Sequence, residues 1–195
     1  MNKRVSYSLL DSGDGKKLEA FGPVTLSRPC AVALWKKSKK KQFWNESHGD
    51  FSRKDSSGWS LTSSFPRSWK VDIENITFKL SLTDFGHVGI FPEQMVVWRW
   101  LRKYLSGQKK SSECRVLNLF AYTGGSSLAC ALEGASVCHV DASPATVNWA
   151  KENATLNGIE KGIRWIVDDV FKFVEREIRR GKKYEAIILD PPTFV

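Results

Sequence analysis

The chain has 195 residues, 42% hydrophobic and 26% charged, the composition of an ordinary soluble globular protein with room for one sizeable core or for a small domain beside a medium one. No apolar run approaches the roughly 18 residues that cross a bilayer, and the opening MNKRVSYSLLDSGDG lacks the apolar stretch of a signal peptide, so no membrane association and a cytoplasmic location are expected. The net charge of +9 favours an anionic partner, nucleic acid first.

Residues 1 to 85 read as a small β-rich, loop-rich domain. They carry 15 basic and 9 acidic side chains, against 15 and 12 in residues 86 to 195, so most of the charge excess lies in this half. Its densest run, LWKKSKKKQFWNE, sets Lys36, Lys37, Lys39, Lys40 and Lys41 between Trp35, Phe43 and Trp44. Lysines neutralise phosphates and aromatic rings stack on unpaired bases, so the run is a candidate RNA contact. A solvated lysine loop beside core tryptophans is the equal alternative. In WKVDIENITFKLSL, Val71 and Ile73 alternate with Asp72 and Glu74, and Phe78, Leu80 and Leu82 with Thr77, Lys79 and Ser81. Two half-buried strands turning at Glu74-Asn75 are predicted.

From Phe91 the pattern changes. PEQMVVWRWLRKYLSG predicts a helix, with Pro92 at its first position, Glu93 in the first turn, Val97, Leu101 and Tyr104 at helical spacing, and Gly107 as a stop. Within residues 86 to 110 it reads as the connection between the halves, followed by the polar linker GQKKSSE. Over residues 111 to 195 strands and helices alternate: RVLNLFA, SSLACALEGA, SVCHVDA, SPATVNWAKENATLNG, IRWIV, VFKFVEREIRRG and YEAIILD. Ser143 is the expected cap of the second of these helices, with Pro144 at its first position. Parallel strands need crossover connections, so an α/β, Rossmann-like domain with about four parallel strands is predicted. Cys30, Cys114, Cys130 and Cys138 show no CxxC pairing and read as buried reduced thiols, with neither metal site nor disulfide expected.

In open parallel sheets ligands bind beyond the carboxyl ends of the strands. After the first strand comes FAYTGG, whose glycines let the backbone approach a ligand and whose helix start offers free amides to an anion. After the second comes Asp141, 17 residues beyond Gly124, where a carboxylate can accept both hydroxyls of a ribose. After the third come Asp168 and Asp169, where an acid can bind an adenine amino group. After the fourth comes Asp190, then Pro191 and Pro192, which fix the turn and present few backbone donors. Each element alone is weak; the order of all four is what describes a nucleoside-shaped site. A nicotinamide enzyme competes, but YTGGSSLA lacks the GxGxxG register and that reading leaves DPP without a role.

VLNLFAYTGGSSLA, VDAS, WAKENATLNG, VDDVFKFV and IILDPPTF together resemble the class I S-adenosylmethionine-dependent methyltransferases, in the branch of the bacterial large-subunit ribosomal RNA cytosine-C5 methyltransferases and their relatives. GIFPEQ is similar to that branch's loop before the catalytic domain. The resemblance covers roughly residues 85 to 194. It implies S-adenosylmethionine as cofactor, contacted by Gln94, Phe120, Tyr122, Thr123, Gly124, Asp141, Ser143 and Asp169. It further implies that Asp190, Pro191 and Pro192 border the methyl group and the target base. DPPTF, with its aromatic displaced by one place, favours cytosine C5 over amino-group methylation.

Cytosine C5 is a poor nucleophile that needs a cysteine to add at C6 first. None of the four cysteines is well placed for this, and in the family that residue follows the DPP motif. The resemblance also implies about three further strands, so a truncated fold is expected here, with weakened or absent methyl transfer and an open fourth-strand edge that another chain could cover. Two other readings stand beside the RNA methyltransferase. One is a non-catalytic RNA-binding protein with a vestigial cofactor site, and the other is an enzyme acting on a small molecule.

Overall fold

The computed structural model describes residues 7–53, 58–62, 65–107, 114–159 and 161–192. Most of the predicted polar linker and the Thr193-Phe194 end of DPPTF lie outside them. The chain divides into two compact units, Met1–Ile90 and Phe91–Val195.

In the first unit, β1 (Tyr7–Gly13), β2 (Lys16–Phe21), β3 (Val24–Pro29), β4 (Gly49–Ser52) and β5 (Gly58–Leu61) form one sheet in that order, antiparallel except for the β3–β4 pair. A short helix, α1 (Lys41–Asn45), precedes β4. The predicted hairpin is present as β6 (Ser68–Ile73) and β7 (Ile76–Ser81). Glu74 and Asn75 both take positive φ, 53° and 59°, the primed turn whose twist matches that of the strands it joins. Trp69, Val71 and Ile73 are buried while Ser68, Lys70 and Asp72 are exposed, so the alternation read from the sequence is the burial pattern observed. The sheet also buries an ion pair, Glu19 with Arg28 at 2.7 Å. The Tyr7 hydroxyl donates to Glu19, and Arg28 donates to the Gly86 carbonyl, which satisfies groups that burial would otherwise leave costly.

The second unit begins with a 3-10 turn, Pro92–Gln94, leading into α2 (Met95–Ser106). Then follow β8 (Arg115–Leu119), α3 (Gly125–Leu132), β9 (Ser136–Asp141), α4 (Pro144–Leu156), β10 (Ile163–Val167), α5 (Val170–Arg179) and β11 (Ala186–Leu189). The four strands are all parallel, in the order β10-β9-β8-β11. The predicted α/β sheet is therefore the one observed. Successive side chains point to opposite faces. Val116 and Val137 pack with Leu101, Leu105 and Cys130 on the α2–α3 side, and Leu117, Leu119, Cys138 and Val140 pack with Val170 and Phe173 of α5 on the other. Ser143 caps α4 as predicted, its hydroxyl accepting from the Thr146 amide at 3.2 Å, an arrangement of about 1 kcal/mol.

Two readings need correction. The buried stripe of α2 is Trp98, Leu101 and Leu105, one position out of phase with the predicted Val97, Leu101 and Tyr104. The bulk of Trp98 sets the phase, because its indole lies against the backbone of Gly125. Val97 and Tyr104 instead line an open groove beside β11. Of the four free thiols, Cys130 and Cys138 are buried, but Cys30 and Cys114 are half-buried, since they sit where the chain leaves β3 and enters β8.

Candidate functional site

The carboxyl ends of the four strands bring the predicted residues of the second unit to one edge. After β8 the backbone turns through Phe120 and Tyr122, both at positive φ (53° and 50°), and then Gly124 at 93°. Two non-glycine residues held left-handed within three positions cost about 1 kcal/mol or more each, and such strain persists only where the surroundings fix it. Here Asp141 does the fixing. Its Oδ2 accepts from the Tyr122 amide and its Oδ1 from the Ser143 amide, both at 2.9 Å. Each carboxylate oxygen has two lone pairs, so one per oxygen remains for a diol. The Ala121 amide donates to the Val140 carbonyl at 3.1 Å, tying the turn to β9.

Below the turn lies a polar cluster that the sequence reading did not single out. Asn118 on β8 and His139 on β9 are register partners, and both are buried. Ser127 on α3 accepts from Asn118 Nδ2 at 2.8 Å and lies 3.0 Å from His139 Nδ1. Burial pushes the imidazole down to about 3, so it is neutral. Thr123 is buried too, and its carbonyl accepts from Asn153 Nδ2 of α4 at 3.0 Å. The Gly124-Gly125 turn is close-packed. A Cβ at Gly124 would stand 3.2 Å from the Ala150 methyl, and one at Gly125 only 2.4 Å from Cζ2 of Trp98.

The remaining predicted residues are differently engaged. Asp169 caps α5, its Oδ1 accepting from the Lys172 amide at 2.9 Å. Asp168 is ion-paired with Arg176, and its amide donates to the Asp141 carbonyl. Asp190 accepts from Gln94 Nε2 at 2.9 Å, which joins residues 96 apart in sequence. Phe91 and Tyr122 meet with ring centroids 5.2 Å apart. Pro191 and Pro192 are exposed beyond Asp190. All four thiols stand elsewhere: Cys114 and Cys138 belong to the strands' amino ends and interiors, Cys130 to α3, and Cys30 to the first unit.

In the first unit the lysine-rich run is held by Asp11. Its carboxylate accepts from the Ser38 hydroxyl at 2.7 Å, the Lys39 amide at 2.8 Å, Trp44 Nε1 at 3.0 Å and the Ser38 amide at 3.3 Å. Burial alone would raise the Asp11 pKa, but these donors outweigh it and hold the carboxyl well below the usual range. The solvated loop with a core tryptophan is therefore present in part, with one tryptophan buried and the other not. Trp44 is buried, whereas Trp35 and Phe43 are exposed among the lysines. Lys37 lies 3.9 Å from the centre of the Trp44 ring, and Lys39 lies 5.1 Å from that of Phe43.

A family profile described as S-adenosylmethionine-dependent methyltransferase matches residues 9–195. Among curated relatives, Ribosomal RNA large subunit methyltransferase K/L of Shewanella frigidimarina is 41% identical over 120 residues, and that of Shewanella sediminis 42% over 123. Each match covers 60% of this chain and 16% of the relative, so the chain spans about one sixth of their length. Among solved structures, the SAM Dependent Methyltransferase from Agrobacterium tumefaciens superposes with a TM-score of 0.90 at 42% identity, covering 96% of this chain and 60% of that one. SMU.776, a putative methyltransferase complexed with SAH, gives a TM-score of 0.80 at 23% identity over 100% of this chain and 53% of its own, a likeness of fold. With a profile spanning nearly all of its length and a strand-end edge of the matching kind, this chain belongs to the S-adenosylmethionine-dependent methyltransferase family.

Proposed function

We propose that the chain binds S-adenosylmethionine at the strand-end edge and supports methyl transfer to RNA, with large-subunit ribosomal RNA the favoured substrate. The observation that carries the cofactor half is the Asp141 carboxylate, fixed through both oxygens by the amides of Tyr122 and Ser143. The residues fit the group. Asp141 can take the ribose hydroxyls, and the Gly124 turn with the first amides of α3 can take a carboxylate. Phe120, Tyr122, Thr123 and Ser143 shape that turn, and Asp169 keeps one oxygen beyond its capping bond for an adenine amino group. Asp168, already paired with Arg176, acts on the site through that ion pair.

When bound, the cofactor supplies an electrophilic methyl on a sulfonium and needs no metal. The protein's part is then positioning. Gln94 holds Oδ2 of Asp190, which leaves Oδ1 free to accept a proton or an amino hydrogen from the target base. Pro191 and Pro192 offer no backbone N–H, so that stretch presents acceptors only. A base in structured RNA has to be unstacked to reach this edge. The RNA half rests on the ribosomal RNA methyltransferase relatives and on the Asp11-anchored lysine run with its exposed Trp35 and Phe43. A further polypeptide segment covering β11 completes the proposal, because Ile187 and Leu189 of that edge strand are 64% and 60% exposed.

Cytosine C5 is the atom that DPPTF implies. A second reading is an exocyclic amino nitrogen, which needs only an acceptor such as the Asp190 carboxylate that Gln94 orients. Calorimetric titration with S-adenosylhomocysteine, followed by methyl transfer to ribosomal RNA and mass spectrometry of the digested nucleosides, tests all of this. Saturable cofactor binding and a methylated nucleoside support it, and the product's identity separates carbon from nitrogen. RNA binding without cofactor binding would move the chain to the non-catalytic reading.

A further inference from the structure

The charge count placed the basic excess in the first half, yet the second unit concentrates its own in one place. Residues 161 to 183 hold 8 basic and 4 acidic side chains, more than the whole surplus of residues 86 to 195. The structure folds this segment around a groove of about 410 Å³ at the amino ends of the parallel strands, opposite the edge described above. Arg115 opens β8, Ile163 opens β10, and Lys182, Lys183 and Tyr184 lead into β11. Five-residue strands put roughly 13–17 Å between the two ends of the sheet.

The groove is built around Glu177, a carboxylate only 3% exposed. It accepts from the Tyr184 hydroxyl and from Arg180 at 3.1 Å, and Arg164 approaches to 3.6 Å. Burial alone would raise the Glu177 pKa, but these partners lower it, so the group is ionised and holds the guanidinium groups in place. Arg115 is taken up by Glu185 at 2.8 Å. Among the described residues Lys182 and Lys183 form no ion pair, and both are exposed on the rim. The carboxyl end of α5 lends partial negative charge here, which Arg179 in its last turn offsets. What remains on the rim is a pair of lysines without a carboxylate partner among the described residues, beside arginines that Glu177 and Glu185 already balance.

We propose that this groove is a second contact for the RNA phosphate backbone, remote from the methyl-transfer edge. This rests on the RNA reading above for the class of partner. Unpaired lysines on flexible stems neutralise phosphates without reading sequence, and a concave cleft between strand ends admits a phosphodiester strand but not a flat bilayer.

The test compares the full chain with a Lys182→Gln/Lys183→Gln double variant, both exposed positions that leave Glu177 and its partners intact. Binding of a fluorescein-labelled RNA hairpin is followed by anisotropy from 50 to 200 mM salt, with S-adenosylhomocysteine affinity and circular dichroism as controls. The expected result is binding weaker by about tenfold at low salt and a salt slope shallower by about 1.5, at roughly 0.7–0.9 per phosphate contact, with both controls unchanged. An unchanged affinity and slope, with the parent chain binding RNA, overturns the groove and leaves the RNA reading standing. No RNA binding by the parent chain, or capture by phosphatidylserine vesicles in its place, overturns both.

Discussion

Gly125→Ala offers a direct test of how the cofactor turn is built. Gly125 is the first residue of α3 and has an ordinary helical φ, so the backbone accepts alanine and the added rotamer-free methyl would by itself stabilise by about 0.4–1 kcal/mol. The obstacle is steric. The new Cβ would lie 2.4 Å from Cζ2 and 2.8 Å from Cε2 of Trp98, whose ring is 3% exposed and has no open side to retreat to. Separating those atoms to van der Waals distance moves α2 or α3 by about 1 Å, and overpacking of that kind costs about 1–3 kcal/mol. Trp98→Leu removes the six-membered ring that causes the contact, at its own cost of about 2–4 kcal/mol for the cavity. In the Trp98→Leu background, Gly125→Ala should be neutral or stabilising, a coupling of about 1–3 kcal/mol in a double-mutant cycle. Urea denaturation of the four proteins followed by circular dichroism measures it. If Gly125→Ala costs the same within about 0.5 kcal/mol in both backgrounds, Trp98 does not set the turn and the packing argument fails.

Three further outcomes are expected. Asp141→Asn replaces an acceptor of a backbone amide with a donor and removes the charge facing the ribose, so S-adenosylhomocysteine should bind about 30- to 1000-fold more weakly, from roughly 2–4 kcal/mol of charge-assisted hydrogen bonding; calorimetry showing a change under threefold would sink that role. Asp11→Asn should cost about 1–3 kcal/mol at neutral pH and speed tryptic cleavage within Lys36–Lys41. Because the native Asp11 pKa is depressed, its contribution is complete above the unfolded value near ~3.9 and is lost as pH falls towards the native one. The gap between parent and variant should therefore close in acid, and a gap constant down to about pH 2 contradicts the anchor. His139 gives the opposite kind of signal, since its native pKa is about 3 and an unfolded imidazole titrates near ~6.5. The unfolded state alone takes up the proton, so stability should fall as pH drops from about 7 to 5. His139→Leu should remove that component, and an unchanged pH profile in the variant rules it out.

Much of the fold was written in local signals. The hairpin was legible because period-two alternation runs on both sides of Glu74-Asn75, where only two residues separate the strands and Asn75 accepts the positive φ of a tight turn. The parallel sheet was legible because short apolar runs alternate with capped helices, and Ser143 and Pro144 mark one helix start unambiguously. The phase of α2 was not. Its sequence MVVWRWLRKYLS is apolar or aromatic on more than one side, so periodicity alone admits either stripe, and only the close approach of Trp98 to Gly125 selects Trp98, Leu101 and Leu105.

The site divides along the same line. Asp141 and the glycine turn could be read because strand ends follow apolar runs, but the bond from Gln94 to Asp190 spans 96 residues and leaves no local trace. Asn118 and His139 did leave one. Each is the single polar residue inside a buried strand, one position before the last apolar residue of RVLNL and of SVCHV, and parallel register then makes them neighbours. Polar groups buried in paired strands have to find partners or remain costly, and the helix that crosses from β8 to β9 is the nearest source of one. Ser127 on that helix is the partner. The cluster therefore fixes where α3 begins over the sheet, and with it the height at which the Gly124 turn presents its amides. A buried polar residue in a central strand beneath a ligand loop is thus a signal of loop placement that hydrophobic patterning passes over.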